Sequence, residues 1–254
     1  MGKCPENSQL PKVFAILVPM QLFYNPALSE DGEHFTFPED ESKHIVKVLR
    51  KKNGDKLHIT NGKGDFFDVL IDDAHPKKCT AKVISKSTAY RKRHRYHLAV
   101  APPKSIDRFE WILEKATEIG VHEITPIICN RSERKTIKQE RSEKVVQAAM
   151  KQSLRAFLPK FNPPTSFSDF LDQERNGLLF IAHCDERGRL DFKRKIAPDH
   201  DITVLIGPEG DFSPDEIRDA EDKGFLSVSL GESRLRTETA ALVATTVVNS
   251  VNNS

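Results

Sequence analysis

Hydrophobic and polar residues alternate with two different periods along this chain. Before residue 90, KLHIT and DFFDVLI follow the two-residue period of β-strands, and the NGKG between them predicts a hairpin turn. KKCTAKVISKSTAY predicts another strand, and ESKHIVKVLR predicts one helix over residues 41–50. Together these elements predict a small β-barrel domain over residues 20–90.

Strand and helix patterns follow one another in turn after residue 90. The strand-like runs are YHLAVAPP, EITPIIC, LLFIAHC, DITVLIG and LSVSLG. A helical period runs through DRFEWILEKATEIG up to Gly120, and a long polar helix is expected over residues 139–156. Alternating strands and helices favour a mostly parallel sheet covered on both faces, so we expect an α/β domain over residues 91–254.

One strand end carries the most specific local signal. The apolar TVLI runs into the turn GPEGD, and a helix start follows at once, with Ser213 as N-cap and Glu216 closing a capping box. A glycine-rich turn between a strand and a helix often holds the polar end of a ligand. The Gly-Lys-Ser/Thr of a phosphate loop is missing, and Glu209 and Asp211 would repel a phosphate. A neutral or cationic ligand is therefore expected.

A second glycine turn follows within VSLGESRLRTETAALVATTVV, residues 228–248. A strand there runs through Gly231 toward a helix for which Thr237 is the expected N-cap. Two adjacent strand ends with glycine turns predict one crevice at the carboxyl edge of the sheet. The helix is apolar on most sides over residues 240–248, so we expect burial in the core or against a second copy in a homodimer.

Composition and charge narrow the class of protein. The chain has 254 residues, 30% of them charged. No apolar run approaches the ~18 residues that span a membrane, so we expect a globular protein without a membrane partner. Nine lysines or arginines and no acid lie between Asp73 and Asp107, and nine more lie from Arg131 to Lys160. Clustered positive charge indicates a polyanion such as nucleic acid, although a solvated surface with a basic linker is the alternative interpretation.

Cysteine and histidine spacings give no metal-binding pattern. The four cysteines are far apart and form no CxxC pair, which is typical of reduced thiols in a cytoplasmic protein. We therefore expect no metal site. Met20 is a candidate start residue, which would make residues 1–19 an N-terminal extension.

Several motifs in one order resemble a known family. LIGPEGDFS and LGESRLRTETAA, together with HIVKVLRKKNGD, KSIDRFEWILEKATEIGV, RSERK and QAAMKQSLR, are similar to the ribosomal RNA small subunit methyltransferase E family of the SPOUT superfamily. The resemblance covers residues 20–250. It departs at Asp211, where the family commonly has glycine. Aspartate tolerates left-handed backbone better than most residues, so we expect the turn to persist.

The resemblance implies a PUA-like β-barrel followed by a SPOUT-type α/β domain with a trefoil knot. It also implies a homodimer that transfers a methyl group from S-adenosylmethionine to N3 of a uridine in 16S rRNA of the small ribosomal subunit. The acidic turn then suits the positive sulfonium of the cofactor. The implied cofactor residues are Leu205, Gly207, Pro208, Glu209, Gly210, Ser229, Leu230, Gly231, Leu235 and Thr237. Arg236, with Arg234 as second candidate, is expected to be catalytic. The implied RNA-binding residues are His44, Arg50, Lys51, Lys104, Gln152, Ser153 and Arg155.

Other interpretations of these residues stay open. For Arg234 and Arg236, the alternative is that they form salt bridges with the acidic segment 209–222. For Glu209, the alternative is that it braces its turn and takes no direct part in the chemistry. An exposed helix face is the alternative for Gln152, Ser153 and Arg155. The alternative function is a non-catalytic rRNA-binding or ribosome-assembly factor with a vestigial crevice. A nucleotide hydrolase is a third interpretation, weakened by the missing phosphate loop.

Overall fold

The structure is a computed structural model that describes residues 21–29, 34–91, 93–185 and 189–252. The expected extension over residues 1–19 and Met20 lie outside the described residues. The described chain forms a five-stranded sheet from its first part and an eight-stranded sheet from its second.

The five-stranded sheet has the strand order β1-β3-β4-β5-β2. Its strands are Leu22–Tyr24 (β1), His34–Thr36 (β2), Lys56–Thr60 (β3), Asp65–Asp73 (β4) and Thr80–Thr88 (β5). The hairpin predicted around NGKG is confirmed, because β3 and β4 pair antiparallel on its two sides. β1 pairs parallel with β3, and the remaining pairs are antiparallel.

The helix expected over residues 41–50 begins earlier and changes its geometry. An α-helix, α1, covers Glu39–Lys43, and a π-helical segment covers His44–Val48. Ile45 is fully buried in the apolar core of this sheet, which anchors the segment. Arg50 follows with a φ of 56°, a left-handed conformation that cannot continue a helix.

The second sheet has the order β11-β13-β10-β12-β6-β7-β8, with β9 also pairing with β7, and all its pairs are parallel. Its strands are Tyr96–Val100 (β6), Glu123–Ile128 (β7), Lys160–Phe161 (β8), Thr165–Ser166 (β9), Leu178–Ala182 (β10), Leu190–Asp191 (β11), Ile202–Ile206 (β12) and Leu226–Ser229 (β13). The helices are Ile106–Ile119 (α2), Gln139–Gln152 (α3), Phe167–Leu171 (α4), Phe192–Lys195 (α5), Pro214–Asp222 (α6) and Thr237–Val251 (α7). The expected parallel α/β architecture is confirmed.

Both faces of this sheet are covered by helices. Val204 on one face packs in a core with residues of α2 and α7, and Leu205 on the other packs with residues of α4 and α6. Because successive side chains of a strand point to opposite faces, five consecutive buried residues in β12 fit a strand covered on both sides. Among the residues that the structure describes, no helix is long and apolar enough to cross a membrane.

Three helix boundaries test the sequence predictions. Gly120 ends α2 with a φ of 132°, as expected. The helix predicted over residues 139–156 is shorter, because α3 ends at Gln152 and Leu154 has a left-handed φ of 55°. The expectation that Thr237 is an N-cap is wrong, since Arg236 occupies that position and Thr237 is the first helical residue of α7.

The two sheets are joined through the β3–β4 hairpin. Thr60 Oγ1 donates to the Ala156 carbonyl at 3.1 Å, and the Leu158 amide donates to the Gly62 carbonyl at 2.9 Å. A Cβ at Gly64 would lie 2.7 Å from the Phe157 ring, so only glycine allows the backbone to approach the ring this closely. This packing fixes the five-stranded sheet against the segment that follows α3.

Candidate functional site

A cavity of about 330 Å³ opens at the carboxyl ends of β10, β12 and β13. Its wall is formed by the segments at the ends of these three strands, namely residues 182–184, residues 206–209 with Asp211, and residues 229–231 with 233–237, together with Arg189 and Ala240. Its volume lies at the small end of the range for ligand pockets, ~300–1,000 Å³. We call residues 207–211 the first turn and residues 229–236 the second turn.

The predicted crevice is present, but its construction differs from the expectation. The strands that carry the two turns are not adjacent, because β10 lies between β12 and β13 in the sheet. The end of β10 therefore forms part of the wall between the turns. Sequence reasoning missed its contribution, since LLFIAHC was expected to be a strand but ends without a glycine turn. The missed cavity residues in this part of the chain are Ala182, His183, Cys184 and Arg189.

Most of the predicted site residues are brought together here. Both arginines line the cavity, with the predicted cofactor residues Gly207, Pro208, Glu209, Ser229, Leu230, Gly231, Leu235 and Thr237. Two of the predicted cofactor residues, Leu205 and Gly210, do not line the cavity. Leu205 is completely buried in the core beneath the cavity. Gly210 faces Arg131, since a Cβ at Gly210 would lie 3.3 Å from the Arg131 Cβ.

The first turn is held by hydrogen bonds from several directions. Thr237 Oγ1 donates to the Gly207 carbonyl at 3.1 Å, which ties the start of α7 to this turn. The Lys104 amide donates to Glu209 Oε1 at 2.9 Å, and Arg131 Nη1 donates to the Gly210 carbonyl at 2.8 Å. The turn thus has a position fixed by three other segments.

Asp211 completes the first turn in a left-handed conformation. Its φ is 64°, so the turn persists without a glycine at this position, as expected. Its Oδ2 accepts a hydrogen bond from the Cys184 amide at 2.8 Å, and its Oδ1 accepts from the Phe212 amide at 2.9 Å. The carboxylate therefore links the first turn to the end of β10.

The capping box that was predicted after the first turn is confirmed. Ser213 caps α6 by accepting from the Glu216 amide, and Glu216 Oε2 accepts from the Ser213 amide at 2.8 Å. The other oxygen, Glu216 Oε1, accepts from the Asn130 amide at 2.7 Å. One buried carboxylate consequently joins the start of α6 to the loop that follows β7.

His183 is a buried part of the cavity wall and is held by hydrogen bonds behind it. Its Nε2 lies 2.9 Å from Ser227 Oγ, which donates in turn to Glu221 Oε1 at 2.6 Å. Because the serine proton points to the carboxylate, the His183 ring donates through Nε2. Burial lowers the pKa of His183 below its ordinary value, partly offset by the charge of Asp211, so the ring is neutral near pH 7.

The second turn is exposed and makes fewer contacts. Gly231 has a φ of 144°, and a Cβ there would meet nothing within 4 Å. Ser229 Oγ donates to the Gly231 carbonyl at 2.8 Å, a bond within the turn itself. Arg234 and Arg236 are exposed at the cavity, and Arg236 stands at the positive N-terminus of α7. The cavity thus has an acidic first turn on one side and two guanidinium groups on the other.

The residues predicted to bind RNA occupy three places. His44, Arg50 and Lys51 lie at the π-helical segment and its end, with His44 Nε2 2.8 Å from Gln21 Nε2. Lys104 lies beside the first turn, and its Nζ pairs with Glu133 at 2.8 Å.

The third group lies away from the cavity of its own chain. Gln152 is the last residue of α3, and Ser153 and Arg155 follow it at the amino edge of the sheet. Arg155 Nε there donates to the Glu118 carbonyl at the end of α2 at 3.0 Å. Cations at a helix C-terminus are stabilised there by the helix dipole. Within one chain these three residues do not line the cavity.

The chain matches two family models. The RNA methyltransferase domain model covers residues 91–249, and the RNA methyltransferase PUA domain model covers residues 37–84. The ribosomal RNA small subunit methyltransferase E of Mesomycoplasma hyopneumoniae is 31% identical over 225 residues, which span 86% of this chain and 96% of that protein. The chain belongs to this methyltransferase E family.

Solved structures agree with the family in fold. The "probable rRNA-methyltransferase" from Porphyromonas gingivalis has a TM-score of 0.85 and 42% identity, over 92% of this chain and 98% of that one. The ribosomal RNA small subunit methyltransferase E from Neisseria gonorrhoeae, bound to S-adenosyl methionine, has a TM-score of 0.83 and 25% identity over 92% and 98% of the two chains. Like these relatives, the chain is an RNA methyltransferase with a PUA-like first domain.

Potential metal ligands are scattered in the described part of the chain. Within it, no group of three histidine, cysteine, aspartate or glutamate residues is placed to hold a metal ion. Of the described cysteines, Cys79 and Cys129 are buried free thiols and Cys184 is an exposed one.

Proposed function

We propose that this chain methylates N3 of a uridine in 16S rRNA of the small ribosomal subunit, with S-adenosylmethionine as the methyl donor. The observation that carries this proposal is the cavity that the two glycine turns and the start of α7 form in a chain of the methyltransferase E family. The Neisseria gonorrhoeae relative, which has the same fold, binds S-adenosyl methionine.

The cavity residues fit this cofactor in shape and charge. A Cβ at Gly207 would already lie 3.0 Å from the Phe212 ring, so the residue must be small, and its backbone stays open to a ligand. Glu209 and Asp211 place negative charge at the first turn, which suits a cationic sulfonium and not a phosphate. When bound, the cofactor supplies an electrophilic methyl group.

Arg236, with Arg234 as second candidate, is proposed to act on the uracil. The N3 lone pair is available only after the N3 proton has left, and the resulting anion spreads its charge onto the two ring carbonyl oxygens. A guanidinium held at the N-terminus of α7 stabilises such an anion, as fixed donors do at other developing oxyanions.

RNA binding is proposed for the barrel and the basic segments. Arg50 is exposed two residues after the end of the π-helical segment, and Lys104 is exposed beside the first turn. Each contact between a cation and a phosphate releases a condensed counterion, so affinity for RNA should fall steeply with salt. A flat binding curve between low and high salt would contradict this part of the proposal.

A homodimer is proposed through α7. Its outward residues include partly exposed Leu242, Val243 and Val247 beside exposed Thr239 and Thr246, with no charged side chain among them. Such a face favours coverage by another copy of the chain. In that arrangement, Gln152, Ser153 and Arg155 of one copy are candidates to reach the cavity of the other. Light scattering at micromolar concentration should give twice the monomer mass, and a monomer would refute the dimer.

The decisive test is a methylation assay followed by nucleoside mass analysis. Purified protein is incubated with S-adenosylmethionine and either naked 16S rRNA or assembled small subunits. The expected product is 3-methyluridine in one of these substrates. Binding of RNA without methyl transfer or cofactor binding would instead support the non-catalytic assembly factor.

A further inference from the structure

We propose that Asp211 makes the cavity prefer the methyl donor, S-adenosylmethionine, over the product that remains after methyl transfer, S-adenosylhomocysteine. S-adenosylmethionine carries a sulfonium cation, whereas S-adenosylhomocysteine has a neutral thioether at the same position. The other charged groups of the two molecules are identical. This inference rests on the proposed function and adds a specific role for one acid at the site.

The position of the Asp211 carboxylate is fixed by the backbone around it. Its own amide donates to the Pro208 carbonyl at 2.9 Å, which closes the turn. Its Oδ2 accepts from the Cys184 amide at 2.8 Å, and its Oδ1 from the Phe212 amide at 2.9 Å. A charge that is held in place interacts with a ligand without the cost of its own reorganisation.

The left-handed backbone of Asp211 points to a role for its side chain. A φ of 64° costs a non-glycine residue free energy, although aspartate bears this better than most residues. Glycine would adopt it freely but would leave the Cys184 amide without its acceptor. The carboxylate therefore both joins two walls of the cavity and adds a negative charge to them.

The charge of Asp211 is not neutralised by a neighbour at ion-pair distance within the described part of the chain. Arg189, which lines the same cavity, donates to the His183 carbonyl instead. Glu209, the other acid of the first turn, accepts from the Lys104 amide and adjoins the charge of the Lys104 side chain. Burial raises the pKa of the Cys184 thiol, and the negative charge of Asp211 raises it further, against the lowering effect of the Arg234 and Arg189 charges. Asp211 thus adds a fixed negative charge to the cavity wall, where these two arginines offset it in part without forming an ion pair with it in the described part of the chain.

The test compares affinities of the full chain for the two ligands by calorimetry. Asp211→Asn removes the charge and one of the two acceptor bonds, and Asp211→Gly removes the whole side chain. Loss of the link between the walls lowers the affinity for both ligands alike. The ratio of the dissociation constant of S-adenosylhomocysteine to that of S-adenosylmethionine therefore isolates the effect of the charge. We expect this ratio to fall about five- to tenfold in both variants, as for a charge partly screened by solvent and salt.

Asp215→Asn is the matched control, because Asp215 is an exposed acid on α6 that pairs with Arg218. Its ratio should equal that of the unmodified chain. Salt provides a measurement without any variant: rising salt should reduce the preference for S-adenosylmethionine in the unmodified chain. Equal loss of both affinities in the Asp211 variants, or a preference that ignores salt, would overturn the role of Asp211 alone. An unmodified chain that binds neither ligand would overturn the cofactor proposal and this inference together.

Discussion

The first turn and the second turn border the same cavity but are held in different ways. Side chains and amides from three other segments reach the first turn, at Gly207, Glu209 and Gly210. The second turn is exposed over residues 231–234, and the Ser229 side chain bonds only within the turn, to Gly231. The first follows β12, a central strand, whereas the second follows β13, which has only the two-residue β11 on its outer side.

This difference indicates that the two turns have different functions within the site. A fixed platform suits the part of a ligand that is the same in every reaction cycle, because preorganisation reduces the entropy lost on binding. An exposed turn with two arginines suits the group that arrives on a large RNA. We therefore expect the first turn to contribute most to cofactor binding and the two arginines of the second turn to contribute the substrate chemistry, and variants in each turn test that assignment.

The largest effect is expected from Arg236→Ala in the second turn. Loss of one donor to a developing oxyanion typically lowers turnover by about 10²–10³-fold. Cofactor affinity should stay unchanged, and part of the turnover should return at higher pH, where uracil N3 loses its proton without help. Single-turnover rates across pH, together with calorimetry, measure both quantities. Arg194→Ala, at an exposed arginine of α5, is the control. Weakened cofactor binding with normal turnover at saturation would make Arg236 a cofactor residue and remove the contrast between the turns.

Gly207→Val should damage the first turn. A Cβ there would lie 3.0 Å from two atoms of the buried Phe212 ring and 3.3 Å from the Phe212 amide nitrogen, and valine adds two more methyl groups. Overpacking of this kind costs about 1–3 kcal/mol. We expect at least a tenfold loss of cofactor affinity by calorimetry, since the platform must shift. Gly210→Ala is the milder comparison, because its Cβ would meet only the side chain of Arg131. Unchanged affinity in Gly207→Val would place the cofactor elsewhere.

The sequence predicted the local parts of this site because the signals are local. Ser213 and Glu216 cap α6 through contacts three residues apart, and Gly207 and Gly231 mark the turns where strands end. The insertion of β10 between β12 and β13 depends on long-range strand pairing, which no short motif reports. The wall at His183 was missed for this reason.

Helix ends were less predictable than helix presence. Leu154 adopts a left-handed backbone that shortens α3, although leucine gives no sign of it in the sequence. Thr237 resembles an N-cap, but its hydroxyl is used for the Gly207 carbonyl, and Arg236 takes the cap position. The trefoil knot, the dimer and the RNA contacts stay predictions from the resemblance.

Thr237→Val tests the bond that connects the two turns. Valine has nearly the same shape, so the variant removes the hydrogen bond to the Gly207 carbonyl from a residue that is only 4% exposed. A buried carbonyl left without its donor costs about 1–3 kcal/mol, which should appear as a lower free energy of unfolding in urea. Cofactor affinity should fall several-fold, because Gly207 loses one of its anchors. Thr239→Val, on the exposed side of the same helix, is the control. Equal behaviour of the two variants would show that the turns are not coupled through Thr237.

The smallest effect is expected from Gly231→Ala in the second turn. A Cβ there meets nothing within 4 Å, so the only cost is the φ of 144°, which alanine adopts poorly. Gly54 in the barrel offers a matched control, since its φ is 84° and its surroundings are equally open. Strain at a glycine-only conformation costs about 1–3 kcal/mol, and exposed turns relax part of it, so both variants should lose about 1 kcal/mol of stability. Relaxation at residue 231 also displaces Leu230 and Leu235 in the cavity wall. Because this displacement is small, cofactor affinity should fall only about two- to fivefold in Gly231→Ala. It should stay unchanged in Gly54→Ala. If both variants bind the cofactor normally, the second turn does not contribute to cofactor affinity and acts on the RNA substrate alone, although it lines the same cavity.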